Sequence, residues 1–404
     1  MGSLQMNAPE DRVFSKQTEP VRLPIGEFFT PEYYLLEKEH IFKKSWLRVG
    51  TERQIANIGD YFVKELESCD TSLIVVRGRD NRIRAFHNMC AHRSNRVAYK
   101  PSGNTTGFKC SFHQWSFGLD GSLRALPEEH LFPGLDKKEY GLTEVACETW
   151  EGFIFINVAP KPAQTLREYL GEEIYNGYNG FFQKFEQIGR VSATVPVNWK
   201  IFLNAFVETY HFSTVHSPTA GNIVNSRDFP NGRIDAVRLY EKHSIVSATT
   251  NTQRTPTFAE GLARKYSGGA TLAPDLTKQV INPPQINPKN LPDWLTDILI
   301  IFPMCDIQAF QGFFITLNFW PISHDQTKWD VCIHMLPPQS AAGEVAAEYN
   351  RAHSREVVRE DLKNMQMVQS NLNSGAKSYQ ILGTMEPMVW HTYKVVAEQV
   401  GNGW

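Results

Sequence analysis

The chain has 404 residues, a formal net charge of −2 and 42% hydrophobic residues. These values are typical of a soluble globular protein, and the length favours two domains. Because acidic and basic residues balance, we expect neither a nucleic acid nor an anionic membrane as partner. No apolar run approaches the ~20 residues that span a bilayer. The N-terminus lacks the apolar core of a signal peptide, which predicts a cytoplasmic protein.

The first predicted elements are one helix and then a series of short strands. Thr30 is a suitable N-cap and Pro31 a suitable first-turn residue, which predicts a helix over about 31–45. From about 50 to 160, short apolar runs such as "SLIVVRG" and "EGFIFINV" are separated by turn residues. This pattern predicts a small all-β domain. The Pro-containing stretch "APKPAQ" at 159–164 is a candidate domain boundary.

The second half of the chain has longer strands followed by helices. "AFQGFFITLNFWPI" and "KWDVCIHML" are long β-type runs, and helical patterns follow at about 342–373 and 388–400. A strand-rich region followed by helices indicates an α+β domain. Phenylalanine is abundant in this half, enough to suggest an apolar pocket; the residues considered are Phe202, Phe206, Phe310, Phe313 and Phe314.

Two short loops of the all-β region carry metal-ligand spacing. One loop contains Cys90-x-His92 and the other contains Cys110-x-x-His113. Thiolate and imidazole ligands suit either a tetrahedral Zn²⁺ or a [2Fe–2S] cluster in which two histidines replace two cysteines on one iron. Zinc ribbons use C-x-x-C pairs, whereas here each loop supplies one cysteine and one histidine. This distribution favours an iron–sulfur cluster held between two loops.

A second candidate site lies in "NAFVETYHFSTVHSP", residues 204–218. His211 and His216 are five residues apart, about 140° on a regular helix, so they converge only if the helix is interrupted. Pro218 disfavours helical geometry at Ser217 and permits such an interruption. Two histidines and a distant carboxylate form a facial triad that holds non-haem iron with open positions. The alternative is two ordinary polar histidines at a helix end.

The loop motifs resemble the cluster motif of the Rieske family, on its oxygenase branch. The loops read "CAHR" and "CSFHQW", without the additional cysteines of respiratory Rieske proteins, and Arg93 and Trp115 are typical of the oxygenases. The resemblance implies a Rieske [2Fe–2S] cluster held by Cys90, His92, Cys110 and His113.

The resemblance extends to the mononuclear iron motif of Rieske non-haem iron oxygenases. Asn204, Glu208, His211 and His216 match its order and spacing, and the family's third iron ligand falls on Asp361. The neighbouring Glu360 is a rival, but adjacent residues on a helix diverge by ~100°, so only one of them faces the iron. Most of the family has Asp where this chain has Glu208, an acid that the resemblance places between the two metal sites of neighbouring subunits.

The resemblance implies a division of the chain into three parts. Residues 1–45 would form an N-terminal segment whose helix packs on the catalytic domain. Residues 46–160 would form the Rieske domain, and residues 161–404 a helix-grip catalytic domain with mononuclear Fe(II). Electrons would come from NAD(P)H through a separate reductase, with or without a ferredoxin. The expected assembly is a homotrimer, or an α3β3 complex with a β subunit.

The function implied is that of a terminal oxygenase, which uses O₂ to hydroxylate a small organic substrate. An aromatic compound is the first expectation. The alternative is a monooxygenase that performs O- or N-demethylation or oxidises a quaternary amine such as carnitine or betaine. A rival of another class is an electron carrier fused to a ligand-binding domain. Iron content separates these classes, because an oxygenase holds one iron more than the two of the cluster.

Overall fold

A computed structural model describes residues 20–224, 234–266 and 282–401. Residues 1–19 of the predicted N-terminal segment lie outside the described part of the chain. The chain divides into two compact units. One comprises Lys38–Tyr175, and the other comprises the described residues up to Glu37 together with those from Asn176 onward.

The chain enters through strand β1 (Val21–Pro24) and helix α1 (Pro31–Glu37). The start of α1 is as predicted, because Thr30 Oγ1 accepts a hydrogen bond from the N–H of Tyr33 at 3.2 Å. The prediction of one helix to residue 45 is wrong. From Lys38 to Phe42 the backbone forms a π-helical turn, in which the N–H of Lys43 donates to the carbonyl five residues earlier at 3.1 Å.

The unit Lys38–Tyr175 is built on antiparallel strands, as the alternating apolar runs predict. Its strands are β2 (Leu47–Thr51), β3 (Asp60–Leu66), β4 (Thr71–Arg77), β5 (Ile83–His87), β6 (Ser102–Asn104), β7 (Phe108–Lys109), β8 (Ser116–Phe117), β9 (Leu123–Ala125), β10 (Glu144–Trp150) and β11 (Phe153–Asn157). Among the described residues, seven of these form one sheet in the order β2-β11-β10-β5-β4-β3-β6, and β7-β8-β9 form a smaller sheet. Short helices α2 (Leu166–Leu170) and α3 (Glu172–Asn176) follow.

The two sheets of this unit place the cysteine–histidine loops. The first loop follows β5, and the second connects β7 to β8. Cys90, Cys110 and Trp115 are buried in one apolar cluster with residues of both sheets, including Phe86 and Phe117. The loops are therefore anchored in the hydrophobic core of the unit, although their tips reach its surface.

The second unit contains a larger antiparallel sheet with helices before and after its strands. The elements are β12 (Glu186–Val195), α4 (Trp199–Phe206), α5 (Phe212–Val215), α6 (Gly221–Val224), β13 (Ile234–Leu239), β14 (Ser244–Thr249), α7 (Phe258–Tyr266), β15 (Trp294–Ile301), β16 (Cys305–Phe310), β17 (Phe313–Ser323), β18 (Gln326–Met335), α8 (Ala341–Asn373), β19 (Tyr379–Leu382) and α9 (Pro387–Val400). Within the described residues the sheet order is β12-β18-β17-β16-β15-β14-β13, and β1 pairs with β19.

Helices α8 and α9 agree with the predicted helical patterns, and the α+β fold with a helix-grip domain is confirmed. Ser340 caps α8 by accepting from the N–H of Gly343 at 3.1 Å. Along α8, buried positions recur every three to four residues, the period at which a helix presents one face. This face includes Ser354, Val358 and Asp361. No helix formed by the described residues is both long and apolar enough to cross a lipid bilayer.

A buried ion pair joins α1 to α4. Lys200 Nζ lies 2.5 Å from the carboxylate of Glu37, and both side chains are completely buried. Trp199 Nε1 donates to the second oxygen of Glu37 at 2.9 Å. The pair fixes the N-terminal helix against the helix that precedes the histidine-containing segment.

Candidate metal centres

The two cysteine–histidine loops have the same backbone design. The carbonyl of Cys90 accepts from the N–H of Ser94 at 3.0 Å, and the N–H of Cys90 donates to the carbonyl of Asn95 at 2.7 Å. In the second loop the carbonyl of Cys110 accepts from the N–H of Gln114 at 3.0 Å, and the N–H of Cys110 donates to the carbonyl of Trp115 at 2.9 Å. Ser94 and Gln114, each four residues after its cysteine, have left-handed φ values of 57° and 60°. Each loop thus turns sharply and presents its ligand-type side chains on one side.

The side chains of these loops fit an iron–sulfur cluster. The rings of His92 and His113 lie 4.5 Å apart, and Nδ1 of His92 is buried with no hydrogen-bond partner among the described residues. Backbone N–H groups donate to the sulfurs of Cys90 and Cys110, and Asn95 Nδ2 lies 3.6 Å from Cys110 Sγ. Two thiolates, two imidazoles and N–H···S bonds are the donor set of a Rieske [2Fe–2S] cluster.

Aromatic rings hold His92 in place. Trp115 stacks on the His92 imidazole at 4.9 Å with 7° between the planes, and Phe132 meets Trp115 edge-on at 5.5 Å. Burial, and the charges of His113 and Arg93, lower the pKa of His92 and favour its neutral form. Phe132 was not predicted as part of this site, since it lies outside both loops in sequence.

The second site forms where the helical backbone is interrupted. Helix α4 ends at Phe206 and the one-turn helix α5 begins at Phe212, so His211 immediately precedes α5 and His216 immediately follows it. Ligand atoms of His211, His216 and Asp361 all lie within 4.8 Å of one another. Nε2 of each histidine is 3.5 Å from Asp361 Oδ1. Two imidazoles and one carboxylate converge in this way on a point where a single metal ion fits.

A carboxylate orients each imidazole from behind. Glu208 accepts from Nδ1 of His211, and Glu360 accepts from Nδ1 of His216 at 2.9 Å. The hydroxyl of Thr219 also donates to Glu360, at 2.7 Å. Each bond leaves Nε2 directed at the shared point, an arrangement that fixes tautomer and ring orientation in metal sites. Glu360, the rival of Asp361, therefore contacts a histidine of the site rather than the shared point.

Burial dominates the ionisation of this group. It lowers the pKa of His216 to about 4 despite the hydrogen bond to Glu360. Burial, reinforced by the carboxylates of Glu208 and Glu360, raises the pKa of Asp361 to about 7. For His211 burial acts downward, but the hydrogen bond and charge of Glu208 outweigh it and raise the pKa. A metal ion binds neutral imidazoles and ionised carboxylates, so a bound divalent cation would favour the neutral form of both histidines and the ionised form of Asp361.

Asn204 does not join the three ligand-type residues. Its amide donates to the hydroxyl of Tyr393 at 3.0 Å, and its Oδ1 is buried without a partner among the described residues. Among the described residues, two cavities lie near this site: His216 borders one of them, and Asn204 borders the other. A role in the site for Asn204 stays a prediction.

These two cavities border the group formed by His211, His216 and Asp361. The first contains about 720 Å³ of empty space including its mouth, and the second, more open one about 1330 Å³. Glu208, His211 and Asp361 border both. The first cavity is mainly apolar, and its apolar lining comprises Ala205, Phe206, Phe212, Ile223, Val224, Ala248, Leu295, Ile298, Phe310, Ile315, Val357 and Val358.

The aromatic residues considered for an apolar pocket divide into two groups. Phe206 and Phe310 line the first cavity. Phe202 stacks on Phe319 in the core, Phe314 stacks on His334, and Phe313 stacks on Phe310 without lining the cavity. The uncharged polar lining residues Thr209, Thr296, Gln308 and Ser354 were not predicted. Ser354 had a signal, because it shares the helical period of Asp361.

Comparisons with known proteins assign the chain to two protein-family models. The family model "Ring hydroxylating alpha subunit (catalytic domain)" matches residues 182–402, and the model "Rieske [2Fe-2S] domain" matches residues 45–136. The chain is 34% identical over 189 residues to the biphenyl 2,3-dioxygenase subunit alpha of Rhodococcus jostii, which is 45% of this chain and 40% of that one. It is 30% identical over 182 residues to the carnitine monooxygenase oxygenase subunit of Escherichia coli strain K12, which is 45% of this chain and 48% of that one.

One similar solved structure is that of a quaternary ammonium Rieske monooxygenase with an inhibitor. The TM-score is 0.74 at 20% identity, and the match covers 97% of this chain and 99% of that one. At this identity the likeness concerns the fold. The chain spans less than half the length of the two curated relatives above.

Proposed function

Because the chain belongs to the family of ring-hydroxylating alpha subunits with a Rieske domain, we propose that it is the terminal oxygenase of a multicomponent system. In this system O₂ is the oxidant, and electrons come from NAD(P)H through a separate reductase, with or without a ferredoxin. One observation carries the proposal: His211, His216 and Asp361 converge at the wall of a mainly apolar cavity. An electron carrier needs only the cluster, so a second set of metal ligands beside a cavity favours an oxygenase over a carrier.

The two donor sets would hold two kinds of iron. Cys90, His92, Cys110 and His113 would hold the [2Fe–2S] cluster, and the convergent group would hold Fe(II). When bound, the cluster supplies one-electron transfer and the mononuclear iron supplies O₂ activation. The protein supplies orientation: Glu208 and Glu360 each hold one imidazole by its Nδ1–H. The apolar lining excludes water from the reacting substrate.

Glu208 would also belong to the route of electrons. Its Oε1 bonds Nδ1 of His211, while its Oε2 accepts from the N–H of the same residue at 3.3 Å. It also borders the more open cavity, so it is accessible from the side away from the substrate. An electron donor on that side would come from a neighbouring subunit in a multimer, either a homotrimer or an α3β3 complex. The longer side chain of Glu208, where Asp is usual, sets the reach of this contact.

The substrate would be a small, mainly apolar organic molecule, and an aromatic ring fits the phenylalanine- and aliphatic-lined cavity. The product of a ring substrate would be a cis-diol. The second candidate is monooxygenation, either demethylation or oxidation of a quaternary amine. Two features favour this candidate: the similarity to a carnitine monooxygenase subunit, and Glu208, because the family resemblance associates Glu at this position with the carnitine-monooxygenase branch.

The domain boundaries and the cellular location stay predictions. The proposed parts are 1–45, 46–160 and 161–404, with residues 1–19 outside the described range. The chain divides between the two compact units after residue 37 and after residue 175. A cytoplasmic location fits the use of NAD(P)H and a reductase.

A single turnover tests the function. The purified protein is reduced chemically and exposed to O₂ with aromatic hydrocarbons, aryl methyl ethers or N-methylated amines, and the products are identified by mass. Two added oxygens indicate dihydroxylation; one oxygen, or the loss of a methylene, indicates monooxygenation. His211→Ala and Asp361→Ala are expected to keep the cluster absorption but lose one iron per chain and all product. His130→Ala, at an exposed histidine, is the control. Turnover retained in either ligand variant contradicts the proposal.

A further inference from the structure

Strand β16 places a polar pair at the wall of the apolar cavity. Asp306, Gln308 and Phe310 alternate along the strand and therefore share one face. Gln308 and Phe310 line the cavity, and Asp306 is completely buried next to them. Gln308 Nε2 donates to Asp306 Oδ2 at 2.9 Å, which fixes the amide.

The amide of Gln308 keeps free hydrogen-bonding capacity. Within the described part of the chain, its second N–H and its carbonyl oxygen have no hydrogen-bond partner. Asp306 Oδ1 is buried and also lacks a partner there. Burial holds the pKa of Asp306 well above its ordinary range, which favours the neutral acid. Gln308 and the neutral acid Asp306 therefore form an uncharged polar patch at the cavity wall.

Two hydroxyls on other elements add to this polar lining. Ser354 and Thr209 both border the cavity, both are at least nine-tenths buried, and neither hydroxyl has a partner among the described residues. Ser354 precedes Asp361 by seven residues on α8, a distance of about 10 Å along the helix axis. Buried polar groups without partners cost free energy, and a ligand that bonds to them removes that cost.

We propose that the cavity binds an apolar ring substrate that carries one uncharged hydrogen-bonding substituent, namely a hydroxyl, an amine N–H or a carbonyl, and that Gln308 recognises this substituent with Ser354. The proposal deepens the proposed function and rests on it. Among the described lining residues there is no Lys or Arg to pair with a carboxylate substituent. The carboxylates at the wall, Glu208 and Asp361, already contact imidazoles. The hydrogen bond at Gln308 would decide which ring positions of the substrate face His211, His216 and Asp361.

Equilibrium binding to the complete iron-loaded protein tests the proposal without turnover. The probes are naphthalene, 2-naphthol and 2-naphthoate, which share one ring system and differ in one substituent. We expect 2-naphthol to bind about tenfold more tightly than naphthalene, the size of effect that one neutral hydrogen bond produces. 2-Naphthoate should bind more weakly than either. Gln308→Met should reduce the ratio of 2-naphthol affinity to naphthalene affinity to about one.

Gln326→Met, the same substitution at an exposed residue of β18, is the matched control and should keep the preference. If Gln308→Met loses its cluster absorption, Ser354→Ala replaces it, with the same expected loss of preference. Equal affinities for the three probes, tightest binding of 2-naphthoate, or a preference that survives these variants overturns the proposal. Retained preference without product in the single turnover overturns the oxygenase function and leaves the binding inference standing.

Discussion

The carboxylate of Glu360 accepts a hydrogen bond from Nδ1 of His216 at 2.9 Å, and its neighbour in sequence, Asp361, lies 3.5 Å from Nε2 of the same imidazole. Two consecutive residues of α8 therefore contact opposite edges of one ring. Adjacent residues on a helix diverge by ~100°, which allows one carboxylate to face the metal position while the other holds the ligand from behind.

Removing Glu360 should weaken metal binding without removing a ligand. For Glu360→Ala we expect Fe(II) affinity of the iron-depleted mononuclear site to fall about 10- to 100-fold, the usual loss when a ligand histidine loses its carboxylate. Glu360→Gln keeps a hydrogen-bond acceptor and should lose less. Anaerobic titration with Fe(II) measures both. Glu356→Ala, at an exposed acid on the same helix that pairs with Arg359, should bind Fe(II) normally. Unchanged affinity in Glu360→Ala would contradict this role.

The left-handed residues of the cluster loops should be sensitive to β-branching. At φ values near 60°, glycine is unstrained, whereas valine clashes with its own backbone. We expect Gln114→Gly to retain the cluster and Gln114→Val to lose visible cluster absorption at a lower temperature. Lys109→Val, at an exposed strand position just before the loop, serves as control. Equal thermal loss for the glycine and valine variants would show that the turn does not constrain the cluster.

Removing only one partner of the buried pair Lys200–Glu37 should strongly destabilise the folded protein. Lys200→Met leaves a buried carboxylate without its cation, which is expected to lower the free energy of unfolding by about 3–5 kcal/mol. The double variant Lys200→Met/Glu37→Gln should recover most of this loss, because the amide can still accept from Trp199 Nε1. Urea unfolding followed by fluorescence measures both. A double variant no more stable than the single one would refute the charge explanation.

Asp297 should make stability depend on pH. Burial raises its pKa from 3.8 to about 6, even though Ser247 and the N–H of Asn287 donate to it. The folded state therefore binds the proton more tightly than the unfolded state. The tighter proton binding by Asp297 adds to the free energy of unfolding. This addition, about 3 kcal/mol, is fully present below pH 4 and is lost as pH rises through 6. Asp297→Asn should remove this part of the pH dependence in urea unfolding between pH 4 and 7. Parallel curves for both proteins would refute it.

Local spacing explains what could be predicted from the sequence. The cluster loops and the pair His211 and His216 lie within short stretches, so their patterns carry the chemistry directly. Spacing alone did not distinguish Asp361 from Glu360, and the prediction of Asp361 came from the family resemblance; the structure places Asp361 on the buried face of α8. Gln308 and Ser354 meet the same cavity from a strand and a helix that are distant in sequence, and only tertiary packing brings them together. The π-helical turn after Glu37 also had no sequence signal, because the apolar spacing there suits an ordinary helix.

His211 and Asp361 border both cavities, and this has a kinetic consequence. If the substrate binds in the mainly apolar cavity, as we propose, a compound that fills this cavity would compete with it, and saturating substrate would restore the rate. A compound that fills the more open cavity would contact Glu208, His211 and Asp361 and would leave the proposed substrate position free. Its inhibition would persist at saturating substrate, so one metal group offers two separable modes of inhibition.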